Sequence, residues 1–216
     1  MNFRKFDIDS WERKEHYKYY TEILKVEVNI TADITVDKFL DFCHQNDYRF
    51  YPALISITTQ IINSLDYFRM FRDREGNLNV WNYVVPNYTI FHEDDHTFSD
   101  LWSEYDENIH GMYKNIICDM EKYRDVKGIK ARPDQPGNFY CISCAPWVNF
   151  TSLSSRITNG EPQFFPVITA GKYHEECGKT VMPVNLIIAH AVCDGYHVSQ
   201  FYSGLQNALD NPEIYF

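Results

Sequence analysis

The 216-residue sequence predicts an α+β fold: a two-layer sandwich in which helices cover a mixed β-sheet. Three observations predict it. Residues 22–34 alternate Val26, Val28 and Ile30 against Glu27 and Asn29, the period of a half-buried strand. Three later runs, 138–152, 164–174 and 180–190, are rich in aromatic and β-branched residues bounded by polar or turn-forming stretches. Segments of helical spacing stand between and after these runs, and no internal repeat or low-complexity segment divides them, so 1–216 is expected to form one domain.

After the first strand, Thr35 is expected to cap a helix over 36–46, where Val36, Phe39, Leu40 and Cys43 share a face. A second, more apolar helix follows over 51–65, with Pro52 in its first turn, where a missing N–H costs nothing. Residues 68–84 read as a hairpin around Glu75-Gly76-Asn77. Residues 88–102 read as a strand and loop, and 105–123 as a helix. A polar link with Pro133 and Pro136 is expected to run over the surface. A helix over 196–210 closes the chain.

A hydrophobic fraction of 44% with 16% aromatic residues marks a folded globular chain. The net charge of −10, with no concentrated basic run, argues against nucleic-acid binding. No export signal and no apolar run of membrane-spanning length is present, so no membrane partner is expected and the chain reads as cytoplasmic. Six cysteines are then read as reduced thiols. Cys141 and Cys144 form a C-x-x-C on a predicted strand, without the second ligand pair that zinc requires; they are taken as buried structural thiols.

The chemistry concentrates in "AHAVCDGYH", residues 189–197, directly after a buried apolar run. His190 stands at a strand end, where side chains tend to face a crevice, and Asp194-Gly195 describe a tight polar turn. A metal site built on His190, Asp194 and His197 would need one helical face across all three, which the turn interrupts, so no metal is expected. Cys193 as a nucleophile would need a base and an electropositive setting that the sequence does not show.

The segment "HAVCDGYH" resembles the H-x-x-x-D-G signature of the chloramphenicol acetyltransferase family, shared with the catalytic domain of dihydrolipoyl acyltransferases. "SWERKEHYKYY", "YRFYPALI", "YTIFHEDDHTFSDLW", "APWVNFTSL" and "ITAGKYH" resemble that family in order and spacing across nearly the whole chain. The resemblance implies a CoA-dependent acyltransferase-like fold and acetyl-CoA as cosubstrate. By that resemblance, His190 is the general base that activates a substrate hydroxyl in a ternary complex. Ser143 is the donor to the charged carbonyl oxygen, and Thr169 supports the intermediate through water. Read without the resemblance, Ser143 is a strand serine bonded to backbone. Asp194 and Arg13 are implied as a structural ion pair, with the His190 tautomer held by a backbone carbonyl. The resemblance further points to Tyr20, Phe98 and Ser155 for the acceptor pocket, and to Tyr173, Lys172 and Arg49 for CoA. Core packing remains open for Tyr20 and Phe98, and a solvated surface role for the last three. It implies a homotrimer with active sites at subunit interfaces.

Two departures stand out. Ala189 replaces the first of the family's paired histidines, and the stretch 150–160 differs, placing Ser155 where a leucine would face chloramphenicol. Exchanging most of a leucine's buried surface for a hydroxyl is expected to weaken that ligand by about 1–3 kcal/mol. The chemistry is expected to survive while the acceptor changes. A different hydroxylated small molecule, a binding protein without catalysis, and the acyltransferase core of a multienzyme complex are the other readings.

Overall fold

A computed structural model describes residues 2–155 and 162–216. The chain opens with a short strand β1 (Phe3–Lys5) and a helix α1 (Lys14–Lys18) that runs on as a π-helical turn over Tyr19–Ile23. That turn delays the next strand, β2 (Glu27–Thr35), to five residues after the expected start. Helices α2 (Asp37–Gln45) and α3 (Phe50–Ser64) follow. The expected Thr35 cap is not formed. Thr35 remains in the strand opposite Val181, its N–H donates to Gln206 Oε1 at 2.9 Å, and Val36 stands at the N-cap of α2 without a side-chain cap.

Strands β3 (Met70–Arg72) and β4 (Leu78–Trp81) form the predicted hairpin, with Gly76 at φ 86° in its turn, and β1 pairs with β4 to complete a small antiparallel sheet. Residues 88–102, expected as strand and loop, belong to a second hairpin of β5 (Val85–His92) and β6 (Thr97–Trp102). Its turn uses His96 at φ 56° rather than a glycine, so the usual signal was missing. Helix α4 (Ile109–Lys122) is capped by Asn108, whose side chain accepts the Gly111 N–H at 3.1 Å. The proline-containing link then runs along the sheet edge, where Asp100 and the chain at Ile129–Ala131 exchange two backbone hydrogen bonds.

Strands β7 (Phe139–Ala145) and β8 (Val167–Gly171) are shorter than the predicted runs 138–152 and 164–174, the short β9 (His174–Glu176) follows, β10 (Lys179–Ala189) matches the run 180–190 to within one residue, and α5 (Gly195–Asp210) ends the fold. The main sheet has the order β2-β10-β8-β7-β5-β6, with β9 beside the start of β10. It is mixed, as expected: β5, β7 and β8 are parallel and the other pairs antiparallel. β10 is buried from Val181 to Ala189 and has partners on both sides, which explains its nearly continuous apolar sequence. Pro183 falls between the stretches paired with β9 and β8.

The core lies between this sheet and α3 and α5. Ala53, Leu54, Ile55, Ile57 and Ile62 of α3 are at most 2% exposed, together with Tyr88, Tyr140 and Leu186 of the sheet. Tyr202 of α5 ties the layers by donating to the carbonyls of Ile30 and Val184. The arrangement is the expected α+β sheet covered by helices. Among the described residues, no helix is long and apolar enough to cross a membrane.

Candidate active site

His190 follows β10, and its main chain is still held by a bond from its N–H to the Val26 carbonyl at 2.9 Å. The Nδ1 lies 2.9 Å from the carbonyl oxygen of Cys193. Because a carbonyl can only accept, Nδ1 carries the hydrogen, and in the neutral ring Nε2 keeps its lone pair. The Tyr20 ring lies flat on the imidazole, with 3.8 Å between centroids and 11° between planes.

Below this ring, Asp194 caps α5 by accepting the Tyr196 and His197 N–H groups at 3.0 and 3.4 Å. One carboxylate oxygen also accepts His197 Nδ1 at 2.7 Å, while the other accepts from Arg13 Nη1. Arg13 Nη2 donates to the His190 carbonyl at 3.2 Å. Burial alone would raise the Asp194 carboxyl, but the His197 hydrogen bond and the Arg13 charge outweigh it and hold the group below the ordinary aspartate range. Arg13 is 11% exposed and Asp194 33%, so the pair is less buried than the sequence suggested. Cys193 is fully buried, and burial pushes its thiol well up, which removes it as a nucleophile at neutral pH.

The predicted hydroxyls lie elsewhere. Ser143 on β7 is in register with Thr169 on β8, their oxygens 3.1 Å apart. Thr169 in turn pairs with Asn185 on β10, and Asn185 with Thr31 on β2, giving one polar row across the face of the sheet away from the helices. His190 stands five residues beyond Asn185 along the same strand, about 17 Å at about 3.3 Å per residue. Within one protomer His190 and the hydroxyl pair therefore do not meet. Tyr20 and Phe98 are also kept apart: Phe98 lies opposite Phe91 on the edge strand β6, four strands from β10, and is 52% exposed.

A cavity of about 780 Å³ opens at the carboxyl ends of the parallel strands β5, β7 and β8, the end at which open α/β sheets bind ligands. It brings together the three residues singled out for CoA, Arg49, Lys172 and Tyr173, with Arg49 at the N-terminus of α3. Sequence reasoning missed four further contributors. Arg124 adds a third cation, and the rings of Trp147 and Phe91 meet edge to face at 4.6 Å on the wall. Gly171 lets the chain at Val148–Phe150 cross β8: a Cβ there would lie 3.0 Å from the Val148 carbonyl, 2.9 Å from the Phe150 ring and 2.7 Å from Pro183.

Cys144 lines the same cavity rather than being sealed in the core, which corrects half of the structural-thiol expectation. Cys141 and Cys144, three residues apart on a strand, point to opposite faces and cannot share a metal. Burial raises both thiols to about 11. Among the described residues, no group of three metal-ligating side chains is present. Ser155 lies exposed in the coil after Leu153, whose carbonyl accepts from Asn29 on β2; residues 156–160 of the divergent 150–160 stretch lie outside the described residues.

The sequence matches the profile of the family described as "Chloramphenicol acetyltransferase" over residues 1–206. The chain belongs to the chloramphenicol acetyltransferase family. A relative from Clostridium perfringens named chloramphenicol acetyltransferase is 36% identical over 215 residues, covering 100% of this chain and 98% of that one. Chloramphenicol acetyltransferase 3 of Escherichia coli is 34% identical over 211 residues, with 98% and 99% covered. Among solved structures, a chloramphenicol acetyltransferase superposes with a TM-score of 0.84 at 20% identity, covering 96% of this chain and 99% of that one. A dihydrolipoamide acetyltransferase of Azotobacter vinelandii superposes at 0.69 with 13% identity, over 93% and 86% of the chains, a likeness of fold alone. The family resemblance drawn from "HAVCDGYH" and the five further segments is thereby borne out, and the chain is an enzyme of the acetyltransferase class.

Proposed function

We propose that the protein is an O-acetyltransferase that moves the acetyl group of acetyl-CoA to a hydroxyl of chloramphenicol, with His190 as general base. The observation that carries this reading is the imidazole locked with Nδ1–H on the Cys193 carbonyl, which leaves Nε2 as the proton acceptor. The 780 Å³ cavity suits the cosubstrate: Arg49, Lys172 and Arg124 offer charge to phosphates, and Tyr173 and Trp147 offer faces for a base. Acetyl-CoA, when bound, supplies an activated thioester carbonyl.

His190 Nε2 takes the acceptor's hydroxyl proton as the oxygen attacks that carbonyl, and returns it to the departing thiolate. Either hydroxyl of the Ser143–Thr169 pair can donate to the other; with Thr169 as the donor, the Ser143 hydrogen is free for the carbonyl oxygen as negative charge gathers there. The Arg13–Asp194 pair shapes the loop and takes no proton.

The separation of His190 from Ser143 supports a homotrimer in which one protomer contributes the base and its neighbour the hydroxyl pair and acceptor pocket. Tyr20 on the base side and Phe98 on the distant edge strand fit the same division. Ser155, exposed where an apolar contact was expected, favours a second reading in which another hydroxylated small molecule is the preferred acceptor.

Initial-rate CoA release from acetyl-CoA, with and without chloramphenicol and corrected for the protein's own thiols, tests the proposal. Chloramphenicol-dependent release that falls at least about a hundredfold in His190→Ala supports it. Release unchanged in that variant sinks the mechanism. Release only with another alcohol selects the second reading.

A further inference from the structure

Sequence reasoning considered His197 only as a metal ligand, and the transfer mechanism does not use it. Its placement is nonetheless specific. Asp194 needs no imidazole to cap α5, because the Tyr196 and His197 backbone N–H groups already do so. Yet His197 Nδ1 sits 2.7 Å from the same carboxylate oxygen, on the side of the group away from Arg13. A carboxylate only accepts, so this nitrogen carries a hydrogen.

The ring is 17% exposed and is seated from another part of the chain. Tyr67, in the turn after α3, meets it edge-on at 4.7 Å and donates its hydroxyl to Gln200, which donates to the Tyr196 hydroxyl at 3.0 Å.

Resting on the acetyl-transfer reading, we propose that His197 is a positioning residue that acts through Asp194 to keep the 190–194 turn in the shape that fixes the His190 tautomer. The chain of contacts is short. Arg13 holds one carboxylate oxygen and His197 the other, so the carboxylate plane cannot turn. The Cys193 carbonyl belongs to the peptide that leads into Asp194, and it is the acceptor for His190 Nδ1–H. Arg13 closes the loop by holding the His190 carbonyl. Without the His197 donor, the carboxylate can swing toward Arg13, the 193–194 peptide turns with it, and the His190 ring loses the acceptor that sets which nitrogen is basic. The Asp194 carboxyl is held low by the His197 bond ahead of the Arg13 charge, in agreement with a bond that matters to this group.

The surrounding titratable groups are Asp194, Arg13, Tyr67, Tyr196 and Cys193. Burial and the neighbouring acidic groups push the Tyr67 hydroxyl up, so over the working pH range it stays a neutral donor to Gln200 and adds no charge beside His197.

The test compares His197→Asn, whose amide nitrogen replaces Nδ1, with His197→Phe and His197→Leu, which fill space without donating. We expect kcat to fall about ten- to a hundredfold in Phe and Leu, KM for acetyl-CoA to stay within about twofold, and Asn to keep kcat within about threefold of wild type. Nitrogen-15 NMR of the histidine rings should show His190 with hydrogen on Nδ1 in wild type and Asn, and a mixture of tautomers in whichever apolar variant folds.

Equal losses in Asn and the apolar variants, unchanged kcat in Phe and Leu, or a loss that appears in KM alone would overturn the proposal. An unaltered His190 tautomer in the apolar variants would do the same. A wild-type protein with no turnover defeats the acetyl-transfer reading instead, and the NMR comparison still decides the role of His197.

Discussion

The corner around His190 and the row around Ser143 are built on opposite plans. At the corner nearly every polar group is tied: Nδ1 of the base to Cys193, Asp194 to four donors, Arg13 to two acceptors, with Tyr20 stacked above. Among the described residues, the Ser143 and Thr169 side chains share only the hydrogen bond between their own hydroxyls. The difference matches the roles that the proposed mechanism gives to each. A base is useful only if the correct nitrogen is basic before the substrate arrives, which calls for preorganisation. A hydroxyl that stabilises charge only as it develops must keep a hydrogen free to reorient.

The largest effect that could break this comparison comes from mixing the two halves. Trimers assembled from His190→Ala and Ser143→Ala chains should recover about a quarter of wild-type activity if each site takes its base and hydroxyl from different protomers, half times half. Steady-state rates of co-expressed chains against each variant alone check this. Failure to exceed the variants would place both groups in one protomer.

Next comes the corner itself. Breaking a buried ion pair costs about 3–5 kcal/mol, but Asp194 keeps a third of its side chain exposed, so Asp194→Asn should lose about 2 kcal/mol in denaturant unfolding. The pH dependence has a definite sign. With its folded value held below the unfolded one of about 3.9, Asp194 stabilises fully above that pH, and the contribution is lost as pH falls through the folded value. Asp194→Asn should lack this component.

The smallest effect sharpens the other side. Gly171→Ala puts a methyl against the Val148 carbonyl and the Phe150 ring, so the segment carrying Trp147 should shift outward at a cost of about 1 kcal/mol. We expect KM for acetyl-CoA to rise about fivefold while the rate of the bound complex changes little. An unchanged KM would separate that segment from cosubstrate binding.

How much of this was legible depended on how local the signal was. His190, Asp194 and Gly195 lie within six residues and declared themselves. Arg13 is 181 residues from Asp194, and only family resemblance could join them. Ser143 carried no local sign at all, since a strand serine is ordinary; its meaning comes from a parallel neighbour supplied after a long connection. Thr35 was misread because the capping preference is weaker than the demand of β10 for a partner along its length. The cavity was half legible: its cations and Tyr173 came from resemblance, whereas Gly171 and Trp147 matter through a chain crossing that no one-dimensional pattern records.

The link at 129–131 carries a final consequence. Its two backbone bonds to Asp100 occupy part of the outer flank of β6, and the ion pairs Lys130–Asp100 and Lys127 with Asp94 and Asp95 sew it there. A bare strand flank is a template on which foreign strands accumulate, and this chain shields part of that flank with its own connection. The polar stretch that the sequence placed over the surface thus serves as a partial partner for an edge strand.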